Sequence, residues 1–219
     1  MTPVDDTSEA TSNPTESAEF WDGRYAESDR VWSGNPNVVL VRETADLTPG
    51  RALDLGCGEG ADAVWLARQG WEVTATDISR VALERAARHA AEAGVADRID
   101  WQRHELGKTF PAGEFDLVSS QFLHSPTELP REEILRRAAS AVAPGGLLLI
   151  EGHSGWPSWQ PNPHPEVHLP SPDEVVESLR LEEGAWDVLV CAEHDRKQLT
   201  PDGTEATRTD STVLIRRHR

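Results

Sequence analysis

The chain has 219 residues, 21 basic and 38 acidic, for a formal net charge of −17. That length fits one domain with one buried core, and that charge repels phosphate backbones and anionic lipid, so neither nucleic acid nor a membrane is the expected partner. No run approaches the roughly 18 apolar residues of a membrane span, two cysteines make neither a disulfide framework nor a zinc cluster, and the N-terminus lacks the basic and apolar regions of a secretory signal. A soluble, cytoplasmic protein is expected.

The first segment, residues 1–19, carries five acids and no base and is poor in large apolar residues. Too little surface can be buried there to offset the entropy of ordering, so a disordered tail is expected, followed by one domain over 20–219. From about residue 50, short apolar runs alternate with amphipathic stretches, the pattern of a βαβ sheet. Arg51–Leu55 reads as a strand running into Gly56, Gly58 and Gly60, and Ala61–Arg68 as the helix that follows. Glu72–Asp77 alternates as a second strand, and Ser79 is placed to cap a helix over Val81–Ala93. Ile99–Arg103 and Phe115–Ser119 read as strands, Arg131–Val142 as a helix, and Leu147–Ile150 as a fully buried strand after Pro144-Gly-Gly146.

The composition then shifts. Six of the fifteen prolines fall between His153 and Pro172, predicting a long ordered loop or lid. Pro172–Leu181 resumes as a helix, and Trp186–Ala192 and Ser211–Arg216 read as an antiparallel pair joined at Pro201-Asp-Gly203. The fold class is therefore α/β: a doubly wound, seven-stranded, mostly parallel sheet of Rossmann-like type with an antiparallel C-terminal strand.

The sharpest signal is Asp54-Leu-Gly-Cys-Gly-Glu-Gly60. Glycines at a strand end let backbone approach a ligand closely. The spacing departs from the G-x-G-x-x-G of dinucleotide enzymes, and an acid before the first glycine suits an ammonium better than phosphates. Asp77, at the end of the second strand, stands where a carboxylate accepts both hydroxyls of a ribose.

On these residues, with Val73–Ser79, Phe115–Val118 and Ala143-Pro-Gly-Gly-Leu147, the chain resembles the class I S-adenosylmethionine-dependent methyltransferases. The resemblance implies S-adenosyl-L-methionine as cofactor. Asp54, Gly56, Cys57, Gly58 and Gly60 would surround its methionine part, with Asp77 and Ile78 at the ribose and Glu105 and Leu106 at the adenine. Gln121 would line the same cofactor, since Ser119–His124 follows strand four. Upstream, Phe20-Trp-Asp-Gly-Arg-Tyr25 and Val31-Trp-Ser-Gly-Asn-Pro36 resemble the front end of the thiopurine, tellurite-resistance and thiol methyltransferases. There Trp21, Arg24, Tyr25 and Trp32 would lid the cofactor, aromatic faces attracting its sulfonium.

Strand four is not followed by the Asn/Asp-Pro-Pro-aromatic sequence of amino-methylating nucleic-acid and glutamine enzymes, so a small-molecule acceptor is expected ahead of a protein side chain, with a soft sulfur, selenium or tellurium nucleophile favoured. His124 and His153 follow strands four and five and are the candidate bases. His164 and His168 are four apart, but Pro163 and Pro165 preclude a helix that would align them, and no metal is expected. Two other readings stay open: a nicotinamide-dependent oxidoreductase, and a non-catalytic S-adenosylmethionine-binding protein. Residues 151–195 sum to −9, an acidic cover that slows anionic acceptors unless Arg196, Lys197 or another base offsets it. Oligomeric state is left open.

Overall fold

The computed structural model describes residues 15–160, 167–200 and 202–219. The expected tail over 1–14, Pro201 of the expected turn and His164 with its flanking prolines lie outside these residues. Residues 16–19, expected in the tail, instead open a helix, α1 (Glu16–Ala26), whose N-cap Thr15 accepts a hydrogen bond from the Ala18 amide. Helix α2 (Val38–Thr44) follows.

The sheet comprises β1 (Arg51–Leu55), β2 (Glu72–Asp77), β3 (Ile99–Arg103), β4 (Phe115–Gln121), β5 (Val142–His153), β6 (Trp186–Leu199) and β7 (Glu205–Arg217). Their order is β3-β2-β1-β4-β5-β7-β6. Strands β1 to β5 are parallel, and β7 runs antiparallel to both β5 and β6. The other helices are α3 (Ala61–Arg68), α4 (Arg80–Glu92), α5 (Arg131–Ser140) and α6 (Pro172–Ser178).

Alternation along the strands divides the core between the two faces. Leu53 and Leu55 pack with Ile134, Leu135 and Ala138 of α5 and Val175 of α6. Ala52 packs on the other face with Leu40 of α2, Leu66 of α3 and Ala90 of α4. The sheet is thus doubly wound. Strand order reverses between β1 and β4, which places the ligand crevice of such sheets at the carboxyl ends of those strands.

The parallel half follows the sequence reading closely; the C-terminal half departs from it. Helix α6 stops at Ser178 rather than Leu181, and Arg180 takes a left-handed φ of 51° that no helix continues through. Residues Val142–Gly146, expected as helix end and turn, are already part of β5, entering it through a register shift against Phe115 and Leu117. Strands β6 and β7 extend far beyond the apolar stretches, because their outer halves pair through polar residues such as Arg196 opposite Arg208.

Candidate active site

At the end of β1 the chain turns through Gly56, Gly58 and Gly60 with φ of 71°, 52° and 81°. The Cys57 amide bonds the Thr76 carbonyl at 2.8 Å, tying the loop to β2. Asp77 completes the cradle: its Oδ2 accepts the Gly58 amide and its Oδ1 the Ser79 amide, each at 2.9 Å. A Cβ on Gly58 would lie 2.8 Å from the Tyr25 hydroxyl, so only glycine leaves room beneath that ring. Gly60 has a different task. A Cβ there would meet Trp101 at 2.7 Å and Ala86 at 2.8 Å, so it permits close packing of the helix layer and faces no ligand space.

Three carboxylates are buried around this loop: Asp54, Asp62 and Asp77 are 2%, 7% and 8% exposed. Among the described residues none of them pairs with a basic side chain. Asp62 accepts the Asn37 amide and side chain, each at 2.7 Å, while Asp54 Oδ2 has no partner. Burial raises the pKa of all three, and Asp62 and Asp77 raise Asp54 further. Burial, then Asp77 and Asp54, push the Cys57 thiol well up, which keeps it protonated and argues for a small residue in a crowded turn rather than a nucleophile. Buried negative charge without a counter-ion is costly, so this end of the crevice suits a cationic ligand.

Helix α1 and the segment after it close the crevice from above. Trp32 Nε1 donates to the Tyr25 hydroxyl at 2.9 Å, and Trp21 Nε1 donates to Ser125 Oγ at 3.1 Å, reaching across to the loop after β4. Asp22 Oδ1 accepts Ser79 Oγ at 2.7 Å and the Val81 amide at 3.2 Å, latching α1 to the start of α4. Buried Glu59, held by Arg85 at 3.0 Å, accepts the Val31 and Trp32 amides. Arg24 turns the other way and pairs with Glu27 at 2.6 Å on the surface.

The far end of the crevice is a polar face built from β5, β7 and β6. His153 lies opposite Asp210 in register, and Asp210 opposite His194. His153 Nδ1 is 2.7 Å from Asp210 Oδ1, and Arg196 Nε donates to Asp210 Oδ2 at 2.5 Å. Burial alone would raise Asp210, but the hydrogen bonds from His153 and Arg196 outweigh it and hold the carboxyl below its ordinary range. An ionised Asp210 can only accept, so His153 Nδ1 carries the proton and Nε2 keeps its lone pair. Burial lowers the pKa of His153 despite Asp210, and the ring is neutral near pH 7. His124 stacks on His153 with centroids 5.0 Å apart. Its Nε2 accepts the His153 amide at 3.3 Å. Burial, then Arg131 and His153, lower its pKa to about 3, leaving it a fixed neutral ring.

These parts surround one cavity of about 900 Å³. Of the residues singled out by the sequence, all but Arg24 and Gly60 line it, including Ile78, Glu105, Leu106 and Gln121. Gln121 donates to Ser119 Oγ at 3.0 Å and leaves its buried Oε1 without a partner. The cavity also takes in Glu59, Phe122, Arg208 and, as the sequence had left open, Arg196. Lys197, the other basic residue considered, lies exposed on the opposite face of β6. Phe122 is a non-glycine residue at φ 51°, with the Arg196 guanidinium 5.5 Å above its ring.

Residues 52–146 match the sequence profile of a family described as a methyltransferase domain. Over those residues the chain is similar to methyltransferase domains. The ubiquinone biosynthesis O-methyltransferase of Caulobacter sp. strain K31 is 38% identical over 100 residues, 46% of this chain and 39% of that one. The ribosomal RNA small subunit methyltransferase C of Chromohalobacter salexigens is 31% identical over 127 residues, 55% of this chain and 37% of that one. The matched region therefore spans well under half the length of these two curated relatives. TehB from Haemophilus influenzae shares the fold, with a TM-score of 0.69 at 17% identity over 91% of this chain and 67% of that one. The matched residues end within β5, before β6 and β7, so the polar face opposite the glycine loop lies beyond them. Among the described residues no helix is long and apolar enough to cross a membrane.

Phe122 falls within Ser119–His124, the segment expected along the cofactor, whereas sequence reasoning missed Asp22, Glu59, Arg208 and Asp210. For the last two a signal existed: Arg208 and Asp210 alternate along Thr207–Ser211, which places both on one face of a strand. Asp22 and Glu59 are defined by what reaches them from distant segments, and no local pattern marks them.

Proposed function

We propose that this protein transfers the methyl group of S-adenosyl-L-methionine to a small-molecule acceptor. The observation that carries the reading is the set of three buried, unneutralised carboxylates around the glycine loop, with the orphaned Asp54 Oδ2 among them. That donor bears an ammonium and a sulfonium, and two positive charges offset buried acids that phosphates would only burden further. The residues fit it. Asp54 and the Gly56–Gly58 backbone face its amino-acid part, Asp77 its ribose hydroxyls, Ile78, Glu105 and Leu106 its adenine, and Trp21, Tyr25 and Trp32 its sulfonium. When bound, it supplies an activated methyl group that needs only in-line attack.

This chain's own residues then align the acceptor, exclude water beneath α1 and accept a proton. His153 is the base: Asp210 fixes its tautomer so that Nε2 is free to take the acceptor's proton, whereas His124 has its Nε2 committed to the backbone. A neutral imidazole is matched to an acidic nucleophile. A thiol, with an ordinary pKa near 8.5, suits it better than an alcohol, which agrees with the sulfur, selenium or tellurium preference drawn from the front-end resemblance and with the fold shared with TehB. The net charge of −17 argues against a nucleic-acid acceptor, although two relatives bear a ribosomal RNA methyltransferase name. In this reading the domain occupies residues 20–219 together with the start of α1, and works in the cytoplasm.

The test is an acceptor panel. The protein is incubated with S-adenosylmethionine and a set of thiols, phenols, amines, selenite and tellurite, and S-adenosylhomocysteine is quantified. Turnover with thiols above the others supports the reading. Turnover with RNA and with no small molecule overturns it.

A further inference from the structure

Arg196 and Arg208 stand directly opposite each other on β6 and β7, and both line the cavity beside His153. Like charges facing one another across a strand pair are destabilising unless something neutralises them. Asp210 neutralises Arg196, gripping its Nε at 2.5 Å. Arg196 Nη1 donates to Gln198 Oε1 at 3.2 Å, and Phe122 lies under the guanidinium plane. Arg208 has no such carboxylate. Its Nε donates to the Gly155 carbonyl at 3.1 Å, and among the described residues no acid comes within ion-pair distance. Burial depresses its pKa, with Asp210 opposing the shift and Arg196 adding to it. Behind His124, the half-buried Arg131 adds further positive potential, and its Nε has no hydrogen-bond partner. With His153 neutral, Arg196 and Arg208 both line the cavity beside it, and of the two only Arg196 has a carboxylate partner, Asp210.

We propose that Arg208, with Arg196 beside it, binds a carboxylate of the methyl acceptor, so that the acceptor is a carboxylate-bearing small molecule whose nucleophile lies against His153. The inference rests on the methyl-transfer reading and deepens it. A guanidinium fork with one backbone partner retains the donors for bidentate recognition of a carboxylate. The anchored neighbour holds the second fork in place. The acidic residues of 151–195 therefore do not set the charge of the acceptor; the inner faces of β6 and β7 do.

The test uses benzoate and its neutral isostere benzamide as probes, titrated calorimetrically into the full chain with and without saturating S-adenosylhomocysteine. The expected result is benzoate binding at least about tenfold tighter than benzamide in both conditions, weakening with added salt. Arg208→Gln and Arg208→Ala should each remove that preference while leaving S-adenosylhomocysteine affinity and the circular dichroism spectrum unchanged. Equal affinity for the two probes, or a benzoate preference that survives both substitutions, overturns the proposal. Loss of benzoate binding once S-adenosylhomocysteine is bound also overturns it, because the arginines would then serve the donor's own carboxylate. Failure of S-adenosylhomocysteine to bind defeats the methyl-transfer reading instead, and the benzoate titration without it still decides whether the anion site exists.

Discussion

His153 Nδ1 and Asp210 Oδ1 lie 2.7 Å apart, directly opposite each other on β5 and β7, with the Asp210 side chain fully buried. An ionised acid at one ring nitrogen leaves the other as an acceptor turned to the cavity. Asp210→Asn should therefore lower turnover by about a hundredfold with S-adenosylhomocysteine affinity unchanged, and His153→Ala should do the same. His124→Ala should cost far less. In the wild type the rate should stay level through neutrality and fall only as pH drops below the ordinary imidazole value of about 6.5, because burial lowers the His153 pKa. Steady-state rates against pH for the three variants check this.

The carboxylates around the glycine loop give stability an unusual pH dependence. Burial raises Asp54, Asp62 and Asp77 in the folded state, so the native protein holds protons that the unfolded chain releases. Their penalty is absent below the ordinary value of about 4 and grows as pH rises through the elevated one. Asp54→Asn should stabilise the ligand-free protein near neutrality by on the order of 1 kcal/mol and weaken S-adenosylmethionine binding. Thermal melts across a pH series, with and without the donor, read both effects; an unchanged donor affinity would refute the assignment of Asp54 to the cation.

The two inner glycines should separate folding from binding. Gly60→Ala forces a Cβ to 2.7 Å from Trp101 at φ 81° and should cost about 2 kcal/mol of unfolding free energy. Gly58→Ala meets the Tyr25 hydroxyl at 2.8 Å and should instead chiefly weaken donor binding. Denaturant melts and calorimetry on the pair distinguish the two roles.

Asp22→Ala removes both bonds that latch α1 to the start of α4. Losing an interaction of cap type costs about 1 kcal/mol, so donor affinity should fall by roughly five- to tenfold. Hydrogen exchange should quicken in Glu16–Ala26 and leave the strands unaffected.

The parallel half of the fold was legible because its strands are apolar and its turns are glycines: β1, β2, β3 and α3 begin and end where the sequence reading puts them. The same is true of the glycine loop and Asp77, which are close in the chain and share one βαβ unit. The outer halves of β6 and β7 were not, since Glu193–Gln198 and Arg208–Asp210 carry no apolar alternation; their inner face is polar because it lines a cavity. At the front end Trp21, Tyr25 and Trp32 line the cavity and Arg24 does not. A segment resemblance carries residue types but does not say which side of α1 faces the crevice, and Arg24 lies on the outer side, paired with Glu27. Phe122 was legible as part of Ser119–His124, but its left-handed backbone was not, because that depends on the bond from its amide to the Glu151 carbonyl at 2.9 Å.

Whether the glycine loop, its acids and Asp77 hold S-adenosylmethionine is decided by calorimetric titration of the full chain with S-adenosylhomocysteine and, separately, with NADH, using wild type and Asp77→Ala. The expected result is one S-adenosylhomocysteine bound per chain, no NADH binding, and an affinity about a hundredfold weaker in Asp77→Ala. NADH binding without S-adenosylhomocysteine binding, or an affinity that Asp77→Ala leaves unchanged, would contradict it.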